Sequence, residues 1–165
     1  PGRTSPYKFY PFWLNCNDET SEDLVKIFTH LDRDTVESLI EAHRANSGER
    51  ALQKTLAREV TELVHGRERR ESVERVTNVL FGEAAVTSLS DSDLDALALE
   101  IPTAVVGATI VEALVNTSTA PSNGEARRLL SGNAITLNDE KVTEDREITE
   151  LSLLKKGKNS FILIR

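Results

Sequence analysis

Apolar residues recur at helical spacing through the first hundred positions of this chain and then begin to alternate, and that one change of period limits the possible folds more than any other feature. Leu24, Ile27, Phe28 and Leu31 stand three or four apart, as do Val36, Leu39 and Ile40, then Leu52, Leu56, Val60, Leu63 and Val64, then Val73, Val76, Val79 and Leu80. Each stripe gives a helix one apolar face. Beyond Ile101-Pro102-Thr103 the pattern shortens: Ala134 to Leu137, Glu140 to Val142, Leu151 to Leu154 and Ser160 to Ile164 read as strands, with Asn138-Asp139 as a hairpin turn. Two periods in series predict an α+β chain: an all-helical bundle domain over 1–100, a linker at 101–108, and a small α+β domain with a short antiparallel sheet over 109–165.

Cap chemistry sets the expected helix bounds. Ser5-Pro6 reads as an N-cap followed by proline at the first helical position, but Pro11 predicts a break, with a short turn first and a helix from about Pro11 to Leu14. Thr20-Ser21-Glu22-Asp23 resembles a capping box for a helix to about His30, and Asp32 caps the next. Gly66 suits a left-handed helix end. Ser90-Asp91-Ser92-Asp93 opens a helix whose acidic stretch Asp91 to Asp95 reads as a solvated start favoured by the macrodipole. Thr109 to Val115 predicts a short helix. Ser122 with Glu125 predicts a full capping box for a helix through Leu130, closed by Gly132.

Charge and composition narrow the function. The net charge is −7, but residues 1–75 carry −2, residues 76–120 carry −6 with no cation at all, and residues 121–165 carry +1. Overall acidity argues against promiscuous nucleic-acid binding and leaves room for a local basic face in the last third. A single cysteine, Cys16, excludes a disulfide framework within the chain and predicts a reducing, cytoplasmic setting. No apolar run is long enough to span a membrane. The chain starts at Pro1 and has no methionine, which predicts a piece of a longer protein. His30, His43 and His65 are dispersed, so neither a metal site nor a catalytic histidine is expected, and Cys16 reads as a small buried hydrophobe. No Gly-rich phosphate loop is present.

Two groups of motifs bear a family resemblance. Ser122-Asn123-Gly124-Glu125-Ala126-Arg127-Arg128-Leu129-Leu130, then Gly132-Asn133-Ala134-Ile135-Thr136-Leu137-Asn138 and Lys141-Val142, resembles the RNA-binding fold named for ribosomal protein S-four. Asp139 and Asn123 stand where that family commonly has a glycine and a basic residue. Thr4-Ser5-Pro6-Tyr7-Lys8-Phe9-Tyr10, Phe12-Trp13, Glu59 to Gly66 and Leu80-Phe81 resemble bacterial tyrosyl-tRNA synthetases downstream of their catalytic domain, with Pro11 in place of the usual glutamine.

The resemblance implies an anticodon-binding helical domain followed by a domain that grips the long variable arm of tyrosine tRNA. It implies no catalytic residue and no cofactor or metal in this stretch, with ATP used by the parent enzyme. The implied partners are tyrosine tRNA and the catalytic domain of the same parent chain, the parent being a homodimer and the fragment a monomer with no membrane association. The implied RNA contacts are Ser122, Asn123, Arg127, Arg128, Asn133 and Lys141, and the turn Lys155 to Asn159 adds Lys155, Lys156 and Lys158, three cations at one hairpin tip that suit a phosphate backbone. Tyr7, Lys8, Tyr10 and Trp13 are candidates for an anticodon-side or interdomain surface, although an aromatic cluster is more often core. The alternatives are a stand-alone ribosome-associated RNA-binding adaptor and a helical module that binds protein.

Overall fold

The structure is a computed structural model that describes residues 4–165. Its contacts divide the chain into two compact units, Pro1–Thr77 and Asn78–Arg165. The first is helical, built from α1 (Pro6–Leu14), α2 (Asp18–Phe28), α3 (Arg33–Ala45), α4 (Ala51–His65) and most of α5 (Arg67–Leu80). The second holds the end of α5, then α6 (Asp91–Ala98), α7 (Ile110–Asn116), α8 (Asn123–Ser131) and a five-stranded sheet.

In the first unit α4 is the central element. Its Leu52, Leu56 and Val60 are buried with Val25 of α2 and Val36 and Ile40 of α3, while Ala57 packs with Tyr10 and Val73. Leu63 and Val64 keep the same angular face, yet the described residues leave both exposed at the helix end. Gly66 ends α4 with φ 86°, a conformation that costs glycine little.

Two helix starts differ from expectation. α1 runs unbroken through Pro11: Ser5 Oγ caps its start by accepting from the Tyr7 N–H, and the packing of Tyr10 and Trp13 on either side holds the helix through the bond that proline cannot donate. α2 begins at Asp18 rather than after Thr20: Asn17 Oδ1 accepts from the Thr20 N–H at 2.8 Å, so the earlier side chain takes the cap, and the helix ends at Phe28.

The sheet order is β1-β5-β4-β2-β3, with β1 (Thr103–Ala104), β2 (Ile135–Leu137), β3 (Glu140–Lys141), β4 (Ser152–Lys156) and β5 (Ser160–Ile164). It is mixed rather than antiparallel throughout, because Thr103 and Ala104, in the span read as linker, pair in parallel with Leu163 and Ile164. One face of the sheet carries Ile135, Leu137, Leu154, Ile162 and Ile164, buried with Ile110, Leu114, Ala126 and Leu130 of α7 and α8. Leu153 and Leu163 lie opposite each other on the other face and are buried as well.

Caps hold the short helices, which at this length could not persist alone. Ser90 with Asp93 and Thr109 with Glu112 each form both bonds of a capping box. Asp93 is buried in doing so and is not part of a solvated start. At α8 only half the expected box forms. Ser122 Oγ accepts from the Glu125 N–H, but the Glu125 carboxylate turns to Arg128, which offers it a charged donor at 3.1 Å.

Candidate nucleic-acid interface

The sequence-derived cations of the second unit occupy three places. On α8, Ala126 and Leu130 face the core, which puts Arg127 and Arg128 on the exposed side. Arg127 has no ion-pair partner among the described residues. Arg128 holds Glu125 although its side chain is 82% exposed, and such a pair is worth little and easily exchanged for a phosphate. Ser122 and Asn123 lie exposed at the start of this helix, with the Ser122 hydroxyl engaged as the cap. Asn133 lies just past its end at φ 56° and gives its N–H to Leu130 O at 3.0 Å, so its immediate job is to turn the chain into β2.

Lys141 lies exposed on β3, opposite Thr136. Thr136 in turn faces Lys155, and Lys155 faces Phe161, so these four residues form one row across a single face of the sheet. Lys156, the next residue along β4, points to the other face, where its Nζ donates to Thr119 O at 2.9 Å. Lys158 is exposed in the turn after Gly157, whose φ is 62°. Lys155 and Lys156 thus belong to the strand and diverge, and the three lysines do not form one cationic tip.

Lys155 differs from the rest. Its side chain is only 11% exposed, its ammonium donates to Asp139 Oδ1, and it stands 5.9 Å from the centre of the Phe161 ring. Sequence reading missed this partnership because Asp139 and Lys155 meet only through the β2–β4 register.

In the first unit the aromatic residues split. Tyr10 is core, and the half-buried Tyr7 hydroxyl lies 2.8 Å from Ser72 Oγ. Trp13 is half-buried between Phe12 and Phe28, with ring centres at 5.4 and 5.5 Å. Lys8 is exposed without an ion-pair partner among the described residues. The exposed apolar rings are Phe12 and Phe28, neither of which the sequence marked as surface.

Most of this unit's described arginines are committed to carboxylates: Arg33 to Glu37, Arg44 to Glu22, Arg58 to Glu74, Arg67 to Glu62, and Arg70 to Glu62, Glu71 and Glu74. The Arg44 hydrogen bond holds the Glu22 carboxyl below the ordinary range, and the Arg67 bond, followed by that of Arg70, does the same to Glu62. Buried Gln53 and His43 both reach Asp18 Oδ1, at 2.6 and 3.1 Å, and Arg50 donates to Leu14 O at 2.7 Å, which fixes the α1–α2 connection. Burial pushes the Cys16 thiol up from its ordinary value, opposite to what a nucleophile needs. Among the described residues no three His, Cys, Asp or Glu side chains gather as a metal site, and no helix is long and apolar enough to cross a membrane.

Comparison with known proteins accounts for both units. Residues 1–82 match the family model for class I tRNA synthetases (W and Y), and residues 93–165 match that for the tyrosine–tRNA ligase SYY-like C-terminal domain. A tyrosine–tRNA ligase of Flavobacterium psychrophilum is 41% identical over 99% of this chain and 40% of its own length. One from Escherichia coli is 36% identical over 99% of this chain and 41% of its own. A truncated mitochondrial tyrosyl-tRNA synthetase from Aspergillus nidulans superposes with a TM-score of 0.46 at 29% identity, over 47% of this chain and 23% of that one. The chain spans about two fifths of the length of the curated relatives it matches. With two synthetase segments matched in order and the relatives aligned over 99% of this chain, the chain belongs to the tyrosyl-tRNA synthetase family and corresponds to its C-terminal part.

Proposed function

We propose that this chain is the tRNA-binding portion of a tyrosine–tRNA ligase, with the helical region over 1–100 on the anticodon arm and residues 109–165 on the long variable arm of tyrosine tRNA. It contributes binding and positioning and holds no catalytic residue or cofactor site. The parent enzyme joins tyrosine to tRNA at the expense of ATP through a catalytic domain elsewhere in the same chain, as a cytoplasmic homodimer. The observation that carries this reading is the ordered match of a synthetase segment and a tyrosine-specific C-terminal domain along one chain. Its physical support is the exposed pair Arg127 and Arg128 on α8, with Lys141 and Lys158 also open to solvent.

RNA helices are met mainly through phosphate, 2′-OH and shape, so these cations add affinity and little sequence discrimination. Binding of tyrosine tRNA across a salt series tests the reading. Replacing Arg127 and Arg128 together with Ala flattens the slope of log K against log salt by roughly 1.4 to 1.8, at about 0.7 to 0.9 per phosphate neutralised. Circular dichroism should show the helix retained, since Ala is a good helix former. An unchanged slope with the fold intact removes both arginines from the interface, and absence of binding by the unmodified chain overturns the function.

A further inference from the structure

We infer that Asp139 is a negative determinant of RNA binding: it captures the Lys155 ammonium and puts a carboxylate at the β2–β3 corner, withholding that lysine from nucleic acid. The inference rests on the RNA-binding reading above and says which cations of the second unit take part.

The turn gives the first argument. Asn138 and Asp139 have φ values of 50° and 67°, the paired left-handed geometry of a two-residue hairpin connection in which the second position favours glycine. Asn138 supports the turn directly, since its Oδ1 accepts from the Leu153 N–H at 2.9 Å and its amide donates to Ser152 Oγ at 3.2 Å. The Asp139 side chain reaches Lys155 instead. A Cβ in this conformation is disfavoured, so the carboxylate occupies a position that local geometry alone would give to glycine.

Exposure gives the second. Within the pair the lysine is 11% exposed and the aspartate 48%, so solvent meets the anion and not the cation. Phe161 borders the ammonium across the sheet row, and Gly82 confines the carboxylate from beyond: a Cβ added there would come within 3.1 Å of Asp139 Oδ1. Glu83 lines the same cleft of about 330 Å³ and Glu140 is next in sequence, so two further acidic residues adjoin Asp139 at this corner. A lysine already paired releases no counterions when RNA approaches, and an exposed carboxylate repels phosphate. The same sheet row therefore has one available cation, Lys141, and one withheld, Lys155.

The test is tyrosine tRNA binding by the 165-residue chain over a salt range, for the unmodified protein and for D139G, D139N and K155Q, with thermal melts as the folding control. D139G should bind several-fold more tightly, with a salt slope steeper by about 0.7 to 0.9, one added phosphate contact. D139N, which keeps the side-chain shape and tolerates the turn, should move the same way and decides the matter if the glycine variant folds poorly. K155Q should leave the slope at its unmodified value. A K155Q slope flattened by one contact, or folded Asp139 variants with unchanged slope, would overturn the inference while leaving RNA binding in place. No binding by any of the four proteins would overturn the RNA-binding reading and this inference with it.

Discussion

His65 shows how one side chain can couple this fold to pH. Its ring packs edge-on against Phe9 with centres 5.0 Å apart, and its Nε2 is buried with no hydrogen-bond partner among the described residues. Burial, with the Arg69 cation adding to it, pushes the imidazole below its ordinary 6.5. As pH falls, the unfolded chain therefore takes the proton first. The stability linked to this group is full above 6.5 and is lost as pH drops from there through the lowered folded value. Glu22, Glu62 and Asp32 are held below ordinary values of 4.5, 4.5 and 3.8, so their contributions fade only in more acidic solution. Urea midpoints should fall between about pH 7.5 and pH 5.5, and His65→Gln should make that fall shallower. An equal fall in the variant would show that His65 does not titrate on unfolding. This coupling is not legible in the sequence, because a dispersed histidine carries no sign of the ring it packs against.

Among the elements, α1 tests how far local chemistry determines a helix. Pro11 brings no N–H to the bond that another residue there would give to the Tyr7 carbonyl, yet the helix runs through it because Tyr10 and Trp13 are anchored in the core on either side. Proline in a helix interior costs about 3 kcal/mol relative to alanine, and its stiffening of the unfolded chain returns up to about 1 kcal/mol where the backbone suits it. Pro11→Ala should therefore raise stability by about 1 to 3 kcal/mol, read from denaturant midpoints with the slope unchanged. A variant no more stable than the parent would mean that packing of the ring compensates for the missing bond. Most other helices were legible because cap and stripe agree, as at Asp32 with Val36 and Ile40 and at Ser90 with Leu94 and Leu97. The start of α2 was not, since Asn17 and Thr20 both offer cap chemistry and the stripe begins only at Leu24. β1 escaped notice for a different reason: two residues cannot display alternation, and only β5 reveals them as strand.

At the scale of the whole chain, the sequence located the cations but not their availability. Arg127, Lys141 and Lys158 are exposed as expected, whereas Lys155 and Lys156 are engaged by partners 16 and 37 residues away, which only the sheet register and the α7–α8 connection bring close. The same limit applies to apolar surface. Periodicity placed Phe28 on an inward stripe, but it lies 43% exposed at the end of α2, and Phe12 is 64% exposed, the two flanking Trp13. Such a patch favours association, and its size decides how strongly. A stable homodimer buries about 1,600 Å² in all, whereas a patch of two or three side chains amounts to a few hundred at most. Two copies at a net charge of −7 also repel one another, more so at low salt. The chain should therefore sediment as a monomer of 18.3 kDa at micromolar concentration. Weak association should appear only toward about 100 μM, and Phe12→Ser with Phe28→Ser should abolish it, since those two rings supply the exposed aromatic area of the patch. A dimer that persists at nanomolar concentration, or weak association that survives the double substitution, would place the self-contact on some other surface.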